Sequence, residues 1–268
     1  MLKRIILLSI VLVVVIANLV SASSPPKIEA EAAVLMKADD LQVLFDKKAN
    51  DIMYPASTTK IVTLITAIEE GNLNSVVVAS PQAALCDGSS LELKAGDKLT
   101  LQEALYGMML VSGNDAAEVI AENVAGSVPQ FVQKMNDKAE AIGATRTHFT
   151  NPHGLPDPIN HFTTAYDLAL ITSYGMSNPL FAQIVASREH DVRFTSGAVS
   201  HVTNTNKLLK TYKGANGVKT GFTNAAGECL VASATRKNVQ LVAVILNSDY
   251  RWSDAAKLLD YGFQQLGL

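Results

Sequence analysis

Ser57 and Lys60 stand three residues apart in the stretch "YPASTTKIVT", with Pro55 just ahead of them and apolar residues just after. On a helix this spacing puts both side chains on one face, one above the other. A serine hydroxyl beside an amine is a nucleophile beside a base, provided the amine is kept largely deprotonated. Burial and a second cation nearby both lower a lysine pKa, and a helix N-terminus favours the negative charge that forms on attack. The pair also has a plainer reading, with Ser57 as a helix N-cap and Lys60 as a solvated first-turn lysine. Ser24-Pro25-Pro26-Lys27 fits the same S-x-x-K pattern in a proline-stiffened linker, so the spacing alone carries little.

Two later stretches change its weight. "VSGNDAAE" holds Ser112-Gly113-Asn114, and "GVKTGFTNAAG" holds Lys219-Thr220-Gly221. Separately, the first reads as a helix-to-helix turn, since Ser, Gly and Asn form turns, and the second as a strand ending in a bend. The order S-x-x-K, then S-x-N, then K-T-G is what carries information. These three elements occur together in penicillin-binding proteins and class A β-lactamases.

From about Ile28 to Leu268 the chain resembles the serine D-alanyl-D-alanine carboxypeptidases, the low-molecular-mass penicillin-binding proteins of peptidase family S11. "HFTNPHGLPDP", "FTTAYDLALI", "NTNKLL" and "CLVASATR" add to the resemblance, in that family's order. The resemblance implies a fold and a set of roles. The fold is α+β, of the β-lactamase/DD-peptidase type, an antiparallel sheet built from both chain ends with a helical cluster inserted. Ser57 matches the nucleophile, Lys60 the general base, Ser112 the hydroxyl that relays a proton to the leaving amine, and Asn114 the amide that orients substrate and Lys60. Lys219 and Thr220 match the groups that receive the terminal carboxylate, and Gly221 lets substrate lie close to the strand. The backbone N–H groups of Ser57 and Phe222 would form the oxyanion hole. Peptidoglycan stem peptides ending in D-Ala-D-Ala are the implied substrates and β-lactams the implied inhibitors, and the chemistry asks for no metal or organic cofactor. Where some relatives carry Arg in the middle of the N-x-N segment, this chain has Asn204-Thr205-Asn206. Carboxylate binding would then lean on Lys219 and Thr220. No C-terminal β-rich domain or amphipathic anchor is expected within this chain.

Four other readings compete. A class A β-lactamase needs a glutamate in an E-x-x-L-N pattern after the S-x-N element; Glu70-Gly71-Asn72-Leu73-Asn74 has the letters but lies before Ser112, where Gly71 reads as a helix stop. A DD-endopeptidase would use the same residues on a cross-linked substrate. A Ser-His-Asp hydrolase has no G-x-S-x-G elbow here, and the spacing of His148, His153, His161, His190 and His201 fits no zinc template. A non-catalytic peptidoglycan-binding protein would have lost Ser57, Lys60 or Lys219, and all are present.

The elements that must position these residues are legible in part. "EAAVLMKADDLQVLFDKKAND" reads as a hairpin turning at Ala38-Asp39-Asp40. A helix is expected from about Ser57 to Glu70. Thr100-x-x-Glu103 caps a second helix to about Leu110, Gly113 breaks it, and Asn114 or Asp115 begins another. Ser127 caps a helix to Ile142, Thr164 caps "AYDLALITSYG", and Asn178-Pro179 opens a short one. "VSHVTNTNKLL", "GVKTGFT", "GECLVASAT" and "VQLVAVIL" read as successive antiparallel strands. "SDAAKLLDYGFQQL" closes the chain as an amphipathic helix with Leu258, Leu259, Phe263 and Leu266 on one face.

Composition bounds the rest. The chain has 268 residues, 48% apolar and 18% charged, a globular composition. The formal net charge is −3, with no basic tract, which argues against nucleic-acid binding. Lys3 and Arg4 precede an apolar run from Ile5 to Val20, and Val20-Ser21-Ala22 offers a small-x-small cleavage site. That is the layout of a secretory signal peptide over residues 1–22, with one catalytic domain over residues 23–268, and it points to an exported protein. Membrane attachment would require that segment to stay uncleaved. Cys86 and Cys229 are expected as free thiols outside the chemistry.

Overall fold

Near-continuous apolar runs near the two chain ends decide the architecture. The structure is a computed structural model that describes residues 24–268; the signal segment expected over residues 1–22 lies outside the described residues. From the N-terminus come β1 (Ala32–Lys37), β2 (Val43–Lys47) and α1 (Lys60–Glu70). Then come β3 (Val76–Val78), β4 (Lys98–Thr100), α2 (Leu101–Leu110), α3 (Asn114–Ala125), α4 (Val128–Ile142), α5 (Ala165–Met176) and α6 (Pro179–Ala186). The chain ends with β5 (Glu189–Arg193), β6 (Val199–Thr203), α7 (Leu208–Thr211), β7 (Ala215–Thr223), β8 (Gly227–Arg236), β9 (Val239–Leu246) and α8 (Arg251–Gln265).

One five-stranded antiparallel sheet has the order β2-β1-β9-β8-β7. The first strands of the chain therefore pair with the last, Val34 opposite Val244 and Leu35 opposite Ala243. Side chains alternate across the sheet. Ala33, Leu35, Leu230, Leu241 and Ile245 meet Leu258, Leu259 and Phe263 of α8 on one face. Val34, Met36, Val231, Val242 and Val244 meet the helical cluster on the other. Both faces are covered, so β1, β8 and β9 read as near-continuous apolar runs. Asp254 of α8 ties down the chain start. Its buried Oδ2 accepts from Glu29 N and Ala30 N at 3.0 Å each.

The helices begin where their capping residues stand. Thr100, Ser127 and Thr164 accept from the backbone N–H three residues on, and Asn178 accepts from Leu180 N and Phe181 N. Three expectations need correction. Ser57 does not start an α-helix, because Ala56–Thr59 form a 3-10 turn and α1 begins only at Lys60. "VSHVT" does not join the main sheet; it pairs with β5 in a separate hairpin, Asp191 opposite His201, and "KLL" then turns into α7. The Thr100 cap is not reciprocal. The Glu103 carboxylate turns away from the cap to take Arg193 N and His190 Nε2 at 3.0 Å each, which fastens the β5–β6 hairpin to α2.

Candidate active site

The turn that carries Ser57 is held from several directions. Thr58 Oγ1 donates to Pro55 O at 2.6 Å and Thr59 Oγ1 to Ala56 O at 2.8 Å. Ala56 sits at φ 47°, a region L residues rarely adopt. Edge strand β7 presses on the turn where Gly221 has no side chain, since a β-carbon there would stand 3.1 Å from Ser57 N. This close approach is to the Ser57 turn rather than to the substrate for which Gly221 was singled out, and it sets the backbone of Ser57 beside that of β7.

Lys60 is fully buried one turn below. Its Nζ lies 2.6 Å from Asn114 Oδ1, 2.8 Å from His153 O and 3.1 Å from Ser57 Oγ. Burial first, and the Lys219 cation second, push its pKa well below the usual lysine range. A neutral amine has two hydrogens and one lone pair. Asn114 Oδ1 and His153 O can only accept, so they take the two hydrogens, and the lone pair is left facing the Ser57 hydroxyl. The amide of Asn114 is oriented for this. Its Nδ2 donates to Asp87 O at 2.6 Å, which turns Oδ1 toward Lys60.

Asn114 opens α3, and Ser112 sits in the break before it at φ 65°. Ser112 Oγ is buried at the cleft wall without a hydrogen-bond partner among the described residues. The loop across the cleft is pinned by the next residue, Asp115, whose carboxylate accepts from Leu91 N, Leu93 N and Ser90 Oγ at 2.8–3.1 Å. The same loop supplies Ser89 O, which accepts from Asn114 N at 2.7 Å.

Lys219 is buried on β7, with Nζ donating to Thr220 O at 3.1 Å. Burial and then the Arg251 cation lower its pKa to about 7. Thr220 Oγ1 meets Thr205 Oγ1 at 2.7 Å, which places the middle residue of the N-x-N segment at the cleft. Its flanking asparagines are spent on backbone, Asn204 Nδ2 on Ser187 O and Asn206 Oδ1 on Leu208 N. Phe222 is 60% exposed at the rim. All eight residues singled out from the sequence thus gather around one cleft.

Four further cleft residues were not singled out from the sequence: Ser89, Lys207, Arg251 and Trp252. Arg251 Nη1 donates to Gly221 O at 2.8 Å and Cys229 O at 3.2 Å, and its Nε faces Glu228 at 3.2 Å. It braces the K-T-G strand from α8. The remaining candidates do not line the cleft. Glu70 ends α1 and pairs with Lys134 at 2.6 Å, so the misplaced E-x-x-L-N string does not reach Ser57. Cys86 and Cys229 are free thiols. Burial pushes both up to about 11. His190 and His201 serve the β5–β6 hairpin, while His153 and His161 are buried beneath the cleft.

Comparison with protein families matches residues 19–250 to Peptidase S11, D-alanyl-D-alanine carboxypeptidase. The chain is 36% identical to the D-alanyl-D-alanine carboxypeptidase DacF of Bacillus subtilis, over 88% of this chain and 63% of that protein. It therefore spans less than two thirds of the Bacillus relative. It is 38% identical to DacB2 of Mycobacterium tuberculosis, over 87% of this chain and 82% of that protein. Among solved structures, a D-alanyl-D-alanine carboxypeptidase from Mycobacterium tuberculosis superposes with a TM-score of 0.86 at 36% identity, covering 91% of this chain and 94% of that one. The Streptomyces K15 DD-transpeptidase superposes with a TM-score of 0.85 at 32% identity, covering 90% and 99%.

Proposed function

The chain belongs to the D-alanyl-D-alanine carboxypeptidase family of serine peptidases, and from that premise we propose that it removes the terminal D-Ala from peptidoglycan stem peptides through an acyl-enzyme on Ser57. The observation that carries the proposal is the state of Lys60. With both amine hydrogens held by obligatory acceptors, its lone pair is committed to the Ser57 hydroxyl 3.1 Å away.

Ser57 Oγ attacks the carbonyl carbon between the two D-alanines while its proton passes to Lys60 Nζ. The oxyanion forms beside the backbone N–H groups of Ser57 and Phe222, at the helix-start turn and the end of the K-T-G strand. Ser112 Oγ, buried and unpartnered, passes its proton to the leaving amine and takes in exchange the one that Lys60 received, so that Lys60 is neutral again. The C–N bond breaks, an ester remains on Ser57, and free D-Ala departs. Lys219 and Thr220 take the terminal carboxylate through charge-assisted hydrogen bonds, with Thr205 and Arg251 behind them. Water then attacks the ester with Lys60 again as base, the acyl C–O bond breaks, Lys60 returns the proton to Ser57 Oγ, and the shortened peptide leaves as its carboxylic acid. A β-lactam acylates the same serine, but its leaving nitrogen stays tethered in the cleft. The substrates are wall peptides, so we place the enzyme outside the cytoplasmic membrane. No helix among the described residues is long and apolar enough to cross one.

Mass spectrometry of stem pentapeptide incubated with the protein tests this directly. Tetrapeptide plus free D-Ala is expected, and Ser57→Ala should lower the rate about a thousandfold or more. An amine acceptor added to the reaction separates transfer from hydrolysis. A folded wild type that leaves pentapeptide untouched and takes up no β-lactam would sink the proposal.

A further inference from the structure

One of the two acceptors on Lys60 is a side chain, Asn114; the other is a main-chain carbonyl, His153 O. A carbonyl on a loop can hold a base in place only if something holds the loop. Residues 150–158 have no helix or strand. Some of their ties are local, Asn151 Oδ1 accepting from Gly154 N at 2.7 Å and Asn151 Nδ2 donating to Leu155 O at 2.8 Å. Thr63 Oγ1 donates to Pro152 O at 2.6 Å from α1. At His153 itself the backbone N donates to Asn151 Oδ1 at 3.3 Å within the loop, and the tie to another element is its ring, 6% exposed, with Nε2 3.0 Å from Glu118 Oε1.

Glu118 lies on α3 one turn after Asn114. One helix therefore sets both acceptors of Lys60, the first directly and the second through the His153 ring. The ring tautomer is decided by its other side. Leu155 N donates to Nδ1 at 3.2 Å, so the ring proton is on Nε2 and points at the Glu118 carboxylate. Burial keeps the ring neutral by lowering its pKa, although Glu118 pushes the other way.

We propose that Glu118 is a positioning residue for the reaction: its hydrogen bond from His153 Nε2 fixes the carbonyl that takes one Lys60 hydrogen, and so keeps the Lys60 lone pair on Ser57 Oγ. The proposal rests on the Ser57–Lys60 reading above. The Cys86 thiol also stands near, and ligand-type atoms of Cys86, Glu118 and His153 lie within 4.8 Å of one another. The ring geometry decides against a metal there. The lone pair of the ring is on Nδ1, turned to Leu155, and Nε2 carries a proton toward Glu118. A metal would have to displace that proton and the Cys86 thiol proton, and break both ring bonds.

The test measures acylation by a chromogenic cephalosporin, with active sites counted by the mass of the acyl-enzyme so that misfolded protein is excluded. The kcat and KM on a D-Ala-D-Ala peptide are measured beside it. Glu118→Ala is expected to slow acylation and kcat on the order of a hundredfold, the effect of misplacing a reacting group by about an ångström, with KM little changed. Its acidic limb should also move to higher pH, because water reaching Lys60 relieves the burial that chiefly depresses its pKa. The titratable groups facing Lys60 are Lys219, Cys86, Asp115 and His153; the variant leaves all four in place but removes the Glu118 carboxylate that raises the pKa of the Cys86 thiol and of the His153 ring, so the ring stays neutral. Glu118→Gln keeps an acceptor oxygen and should restore most of the rate. If Glu118→Ala does not fold, Glu118→Met, of similar length and without an acceptor, serves the same comparison. The proposal is overturned if the acceptor-free variant matches wild type per active site, or if Glu118→Gln is as slow as it. Stoichiometric zinc uptake by wild type that Cys86→Ser abolishes would overturn it in favour of a metal site. If wild type forms no acyl-enzyme at all, the Ser57 reading fails first and this proposal falls with it.

Discussion

At the scale of the residue, Lys219 is asked for two things that conflict near neutral pH. It must be charged to receive a carboxylate and to hold down the pKa of Lys60, yet burial and Arg251 lower its own pKa to about 7. Near neutral pH the free enzyme then holds both charged and neutral Lys219. An arriving carboxylate favours the ammonium and raises that pKa again. The free enzyme and the complex should therefore titrate differently. We expect kcat/KM for a D-Ala-terminated peptide to fall as pH rises through about 7, while kcat holds to higher pH. Lys219→Arg, charged at every accessible pH, should move the alkaline fall of kcat/KM upward by more than one pH unit. An unchanged alkaline limb in that variant would mean that another group sets it.

At the scale of the element, the 150–158 loop lies directly against the nucleophile. Gly154 is at φ +95°, and a β-carbon there would overlap Ala56 O, the carbonyl just before Ser57. Gly154→Ala must therefore move either the loop or the Ser57 turn. We expect it to cost roughly 1–3 kcal/mol of stability and on the order of a hundredfold in acylation rate. Chemical denaturation and the cephalosporin assay read the two effects, and a variant acylated at the wild-type rate would show that the contact is dispensable. The need for glycine here is a tertiary fact, and it marks where sequence reasoning stops. Thr100, Ser127, Thr164 and Asn178 were legible as helix starts because a cap is satisfied within three residues of chain. β3, β4 and β5 were not, being short strands held by distant partners such as the Glu103 carboxylate on Arg193 N. The 3-10 turn at Ser57 was hidden for the same reason. It is shaped by Gly221 and Gly154, which arrive from elsewhere in the chain.

At the scale of the whole molecule, the cleft lies where the free edge of the sheet, β7, meets the helical cluster. The order of the three motifs named its residues, but only folding shows that Arg251 reaches from α8 to Gly221 O, or that Glu118 stands behind His153. A lone arginine or glutamate on an amphipathic helix looks like any solvated charge. The same junction carries an acid liability. His161 is 1% exposed beneath the Ser57 turn. Thr150 N donates to its Nδ1 at 3.1 Å, so its Nε2–H donates to Thr59 Oγ1 at 2.9 Å, and that hydroxyl donates on to Ala56 O. Every position around the ring is set for the neutral form. Burial chiefly, and His153 next, lower its pKa from 6.5 to about 3, with Asp157 opposing and His148 adding to the fall. Between these values the unfolded chain binds the proton and the folded chain does not. Stability from this group is thus complete above about pH 6.5 and is lost as pH falls toward 3, by roughly 5 kcal/mol in all. Carboxylates with lowered pKa values, Asp157 and Asp191 among them, weaken the fold in the same direction, so a bare acid transition proves nothing about His161. The informative quantity is a difference. Urea unfolding at a series of pH values should show a shallower decline below pH 6.5 for His161→Asn than for wild type, even though the variant starts from lower stability at neutral pH. Parallel curves would place the acid sensitivity elsewhere.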